Sequence, residues 1–269
     1  MYSRVIRMAA TAAVATLTVL TATSCAHGGD AAAAPAPAQK GTAHWSYEGA
    51  GGPADWATLA EDFEACEKGH EQSPVDLREE SAAQAPVDKA VTFDYKPVTA
   101  EVVNNGHTVQ ANVSPGSRII LDGTPYDLKQ FHFHLPSEHT EEGEHSAMEL
   151  HFVHADKAGR LAVVGVLMQE KAGASAFADL WKRLPEKEGG KASVTEPIDL
   201  TAFLPGDRDQ YRYEGSLTTP PCTEGVKWTV LKDPVTVAPA EVAAYKKMFP
   251  KTNRPTQPLN ERKVTVVED

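Results

Sequence analysis

Residues 130–154 read QFHFHLPSEHTEEGEHSAMELHFVH and hold six of the chain's ten histidines. Three of these fall in β-type alternation: His132, His134 and, farther on, His151. Successive side chains of a strand point to opposite faces, so His132 and His134 share one face while Phe131 and Phe133 take the other. The run 147–154 reads as a second strand, with Glu149, His151 and Val153 on a common face. Paired side by side, the two strands bring three imidazoles to one point.

Three neutral imidazoles with no thiolate or carboxylate suit a divalent ion such as zinc, which takes four ligands, and they leave one position open for water. That is a catalytic rather than a structural donor set. Uncharged ligands leave the ion its full charge, and the pKa of a bound water falls to ~7. A metal-bound histidine usually donates its other ring N–H to a fixed acceptor. Gln130 stands two residues before His132 and Glu149 two before His151, so each can share its histidine's face. A cupin-like reading, with Glu138 as a fourth ligand in His132-x-His134-x-x-x-Glu138, fails on two positions. Tyr126 and His145 stand where that motif needs glycine.

Outward from this stretch, short β-branched or alternating runs fall at 91–95, 99–103, 108–113, 118–121, 126–134, 147–154 and 161–169. Turn signals at Asn104-Asn105-Gly106, Ser114-Pro115-Gly116, Asp122-Gly123 and Ala158-Gly159 separate them. Runs 227–231 and 235–237 add late strands. Apolar spacing predicts helices over 54–66, 174–184 and 239–249, and QSPVDL at 72–77 is an extended connection. The expected fold is β-rich, mixed α+β: one domain around a large, mostly antiparallel central sheet with short peripheral helices.

The 269 residues allow one large domain or two small ones, and 41% hydrophobic with 23% charged residues is ordinary for a globular protein. A net charge of −11 argues against nucleic acid and anionic membrane surfaces as partners. Residues 1–25 form a different segment. Arg4 and Arg7 precede an uncharged Ala-rich run that is short of the about 20 apolar residues of a membrane span. This predicts an export signal. Ala22-Thr23-Ser24-Cys25 resembles a bacterial lipoprotein cleavage site, so Cys25 is a candidate for lipidation and a membrane tether, against simple cleavage and release. Residues 26–43, which include AAAAPAPAQ, read as a tether, and the catalytic domain is expected over 44–269. The expected localisation is the cell envelope, the periplasm or the exterior. Cys66 and Cys222, far apart in an exported chain, predict a disulfide worth roughly 2 to 5 kcal/mol, against two free buried thiols.

The motifs HWSYEG, QSPVDL, NNGHTVQ, QFHFH, SEHT, ELHFVH, GSLTTPPC, WTVL and NRPTQPLNER follow one another from His44 to Arg262. In that order they resemble the α-class carbonic anhydrases in their exported bacterial form. Carbonic anhydrase is also the case from which the water pKa above is taken, so that value is no independent result. The resemblance implies reversible hydration of carbon dioxide to bicarbonate, with zinc on His132, His134 and His151 and attack by zinc-bound hydroxide. It implies that Thr218 accepts the hydroxide's hydrogen and donates to Glu138, and that His107 shuttles the proton out. Tyr47 and Asn105 match residues that order water on that path, and Gln110 matches a pocket position. Val153, Val163, Leu217, Thr219 and Trp228 match the substrate pocket, apolar as a small nonpolar gas requires. Leu135-Pro136 departs from the Trp-Gly of many animal members. His139, His145 and His154 receive no catalytic role and read as structural or exposed. The competing reading is a carbonic-anhydrase-like envelope domain that binds without catalysis, and the sequence leaves the oligomeric state open.

Overall fold

The computed structural model describes residues 43–268. The expected leader, the tether up to residue 42 and Cys25 lie outside the described residues. A 12-stranded sheet runs in the order Lys191–Ile198, Val98–Asn104, Val109–Val113, Thr124–His134, Met148–Ala155, Leu161–Glu170, Glu224–Val237, Gln210–Ser216, Thr265–Val267 and Ala83–Ala85. Strands Thr92–Asp94 and Arg118–Leu121 extend it beside the start of Thr124–His134. Pairing is antiparallel except between Leu161–Glu170 and Glu224–Val237 and between Thr265–Val267 and Ala83–Ala85. The β-rich fold and its mostly antiparallel sheet are as the sequence predicts. Among the described residues no helix is long and apolar enough to cross a membrane.

Register follows from the period of two. His132 faces His151 across the ladder, with Glu149 opposite His134 and Val153 opposite Gln130. Phe131, Phe133, Leu150 and Phe152 turn to the other side and are buried in the larger apolar core. The histidine side merges at its far edge into a second apolar cluster with Val163, Tyr213, Trp228 and Val230. The site therefore lies on one side of a sheet whose reverse is packed by the main core.

Helical expectations fare less well than strands. The helix predicted over 54–66 is broken into Trp56–Leu59, a 3-10 turn Glu61–Phe63 and Ala65–Lys68. Trp56 is pinned instead by its indole N–H, which donates to Ser46 O and Gly51 O. The run 174–184 supplies only Ala178–Trp181. Pro239–Met248 is helical as expected, its Glu241 carboxylate accepting from Ala238 N. The two late strands are a single one, Glu224–Val237, and Gln210–Ser216 beside it escaped the pattern. In QYRYEGS alternation is present, but it sets only Tyr211 and Tyr213 on the apolar face before Gly215 ends the run.

Cys66 and Cys222 form the predicted disulfide. Around it Arg254, almost fully buried, donates to Cys66 O, Gln72 Oε1 and Ser73 O. Gln72 Nε2 donates to Cys222 O. Three segments distant in sequence are thus tied beneath the 217–223 turn, which is closed by Leu217 N donating to Thr223 O.

Candidate metal centre

His132, His134 and His151 converge as the alternation predicts, with ring centroids 4.5 to 5.3 Å apart. One ring nitrogen from each forms a set whose members all lie within 4.8 Å of one another. The other nitrogen of every ring is already engaged. His132 Nδ1 donates to Gln130 Oε1 at 2.8 Å, His134 Nδ1 to Thr252 O at 2.6 Å and His151 Nε2 to Glu149 Oε1 at 2.8 Å. A carbonyl or carboxylate oxygen only accepts, so these bonds fix each tautomer and leave an unprotonated nitrogen toward the centre. His134 Nε2 is buried with no hydrogen-bond partner.

Gln130 and Glu149 stand where the sequence placed them, while Thr252 O was not foreseen. A backbone carbonyl carries no residue-type signal, and it reaches His134 across 118 positions. Glu149 has more partners than predicted. Its Oε1 also accepts from His139 Nδ1 at 2.7 Å, and its Oε2 accepts from the backbone N–H groups of Glu138 and His139. The Tyr213 hydroxyl bridges His139 Nε2 at 2.7 Å and Ser73 Oγ at 2.9 Å. His139, expected to be structural or exposed, is fully buried and orders the carboxylate that accepts from His151. The one hint was its place in a polar run between the two ligand strands.

A second cluster, His139, Glu149 and His151, also has ligand atoms within reach of one another. Both histidines donate to Glu149 Oε1, so the cluster serves as support rather than as a separate ion site.

Charge follows burial. Desolvation pushes His132 well below the ordinary histidine value, aided by His134 and His151, and takes His134 down to about 4. His151 is lowered by burial as well. All three are therefore neutral and able to ligate near pH 7. Burial works to raise Glu149, but His139 and His151 hold its carboxyl well below the usual range. Glu138 is the opposite case. Burial raises it to about 7, against the opposing pull of His151, Arg254 N–H and the Thr218 hydroxyl.

Thr218 sits beside Glu138 as expected, yet Glu138 Oε2 has no hydrogen-bond partner. It lies 3.5 Å from His134 Nε2 and 3.9 Å from His151 Nδ1. Glu138 Oε1 accepts from Arg254 N.

The centre opens into a cavity of about 160 Å³ that gathers the remaining predicted residues. Val153, Val163, Leu217 and Trp228 form an apolar wall, and Thr218, Thr219, Gln110 and Tyr47 share the lining. Trp228 meets the His151 ring edge-on at 4.9 Å and donates to Ser216 O. His107 lines the outer part, stacked on Trp45 with centroids 3.7 Å apart. Burial and His44 lower its pKa, and Glu188 raises it. Asn105 lines the cavity too, but its Oδ1 accepts from His107 N and Thr108 N. Its visible task is to hold the turn that presents His107. Gln110 is bound to Asn112 Oδ1. His145 is exposed, and His154 lies on the core face with Nε2 at 2.9 Å from the Tyr95 hydroxyl.

A sheet protein with a three-histidine centre at the foot of a half-apolar pocket is a metalloenzyme class, and similarity to known proteins narrows it. The family model described as eukaryotic-type carbonic anhydrase matches residues 51–268. The chain is 43% identical over 225 residues to a carbonic anhydrase of Klebsiella pneumoniae, covering 82% of this chain and 90% of the relative. It is 41% identical over 220 residues to one of Pectobacterium carotovorum, covering 81% and 89% respectively. Among solved structures it matches the α-carbonic anhydrase of Thermovibrio ammonificans in complex with the inhibitor sulfanilamide. The TM-score is 0.81 and the identity 42%, over 84% of this chain and 100% of that one. The chain belongs to the α-carbonic anhydrase family.

Proposed function

We propose that the protein reversibly hydrates carbon dioxide to bicarbonate and a proton at a zinc ion held by His132, His134 and His151. The observation that carries this is the division of labour within the three rings. Each has one nitrogen tied to an acceptor and one left toward a common point, and His134 Nε2 is buried there without any partner. An unpaired buried nitrogen is costly unless something binds it. A zinc ion on these nitrogens supplies the Lewis acidity that makes water nucleophilic near neutral pH.

The chain's own residues account for the rest. Gln130, Thr252 O and Glu149 keep the three rings in the ligating tautomer. Thr218 accepts a hydrogen from the attacking water and donates its own toward Glu138, which restricts the nucleophile's orientation. Val153, Val163, Leu217 and Trp228 receive the nonpolar substrate without an ionic clamp, and Thr219 and Gln110 border it. His107 takes the proton toward solvent, the imidazole being the side chain whose ordinary pKa lies near neutrality. Tyr47 and Asn105 flank that path.

The proposed organisation is an export leader over 1–25, a tether over 26–43 and the catalytic domain over 44–269, with Cys25 as lipid anchor at the envelope. Mass spectrometry of the native N-terminus tests the anchor. For the activity, zinc content and stopped-flow hydration of carbon dioxide are the decisive pair. One zinc per chain with hydration above background is expected, and a zinc-loaded protein without hydration would favour a non-catalytic binding domain.

A further inference from the structure

The strand Leu161–Glu170 reads LAVVGVLMQE, an apolar β-branched run interrupted by one glycine. Gly165 lies directly across from His151 on one side and pairs with Val230 on the other. Glycine in a strand interior weakens it and commonly marks a place where something approaches closely. Its backbone is not among the left-handed glycines, so conformational freedom does not explain it. Space does. A Cβ at Gly165 would stand 2.8 Å from Glu149 Oε1 and 3.4 Å from Val230 Cγ2.

A flexible carboxylate would ordinarily step aside at little cost. This one is held by four donors: His151 Nε2, His139 Nδ1 and the backbone N–H groups of Glu138 and His139. Both oxygens are committed, and the residue is fully buried. Any added methyl group must therefore displace the bond to His151 or part the two strands.

We infer that Gly165 is a positioning residue for the metal centre, whose missing side chain leaves the space in which Glu149 grips His151. The inference rests on the zinc reading above. It assigns the glycine's role to the ligand's acceptor rather than to the strand itself, where alanine would be the better residue.

The test is the rate at which a chelator removes zinc from folded protein, measured for Gly165→Ala alone and on a Glu149→Asp background. Loss of a ligand's outer partner costs about tenfold or more in metal affinity, so about tenfold faster zinc loss is expected for Gly165→Ala. Glu149→Asp withdraws the carboxylate by one methylene, and on that background the added methyl should change the rate by less than about twofold. Gly206→Ala, where a Cβ meets nothing within 4 Å, serves as the control. An unchanged rate for Gly165→Ala, or an equal acceleration in both backgrounds, overturns the inference. Should Gly165→Ala fail to fold, the double variant must fold, because the retracted carboxylate reopens the space; its failure also overturns the inference. Wild-type protein that holds no zinc would sink the reading of the site itself, which separates the two failures.

Discussion

The two sides of the ladder formed by Thr124–His134 and Met148–Ala155 carry histidines put to opposite uses. On the pocket side His132, His134 and His151 each spend one ring nitrogen on an acceptor and keep the other unengaged by the protein. On the core side His154 spends both, with Nε2 at the Tyr95 hydroxyl and Nδ1 donating to Ala162 O. His151 and His154 are both almost wholly buried and lie three residues apart. What separates a ring able to ligate from one serving as scaffold is the count of satisfied nitrogens, and burial says nothing about it.

The comparison breaks most sharply at His151→Ala. Hydration of carbon dioxide should fall below about 1% of wild type, since losing a ligand exceeds the 10–100-fold typical of outer partners. Retained zinc and turnover in a stopped-flow assay would show that the pocket-side nitrogens are not the functional ones. Next in size is His107→Ala, at which buffer-free turnover should drop by about a hundredfold and recover with added imidazole. A rate equal to wild type without imidazole would move the proton path elsewhere.

His154→Ala should leave turnover within experimental error of wild type and lower stability by about 2 to 3 kcal/mol in urea unfolding, through a cavity and an orphaned Tyr95 hydroxyl. The same ring predicts a pH dependence. Burial holds His154 down to about 3, below the ordinary 6.5. Once pH falls beneath the unfolded value, the unfolded chain binds a proton that the folded chain refuses. Stability contributed by neutral His154 is therefore complete above about 6.5 and is lost as pH falls toward about 3. His154→Ala should flatten that acid limb, and an unaltered profile would mean that other groups set it.

The smallest effect sharpens the contrast between unpartnered atoms. Thr229 Oγ1, like His134 Nε2, is buried without a partner, but Thr229 lies on the core side, next to Val164, which pairs with Phe152. Thr229→Val should gain up to about 1 kcal/mol by removing a polar group that nothing satisfies. A loss would mean that the hydroxyl has a hidden partner.

How much of this was legible in the sequence differs by feature. The ladder was readable because a period of two leaves no freedom once one face is buried: His132, Phe133 and His134 fix the strand's orientation by themselves. The run 54–66 is not one helix, although Trp56, Leu59 and Phe63 have helical spacing, because their side chains pack with Trp45, Tyr47 and the disulfide instead. The disulfide itself was foreseen. His139 was readable only as structural or exposed, because its hold on Glu149 comes from the 138–139 backbone folding over that carboxylate, a geometry that no local pattern encodes.

By itself the sequence determined which three side chains can ligate, since strand alternation and side-chain chemistry are local properties. It also placed Gln130 and Glu149 beside their histidines, each two residues away on the same face. Only the tertiary structure decided how the centre is held: Thr252 O on His134, Arg254 N–H on Glu138, His139 behind Glu149 and the vacant Cβ position of Gly165. These depend on backbone groups and empty space supplied by segments remote in sequence, and neither leaves a residue-type signal until the chain has folded.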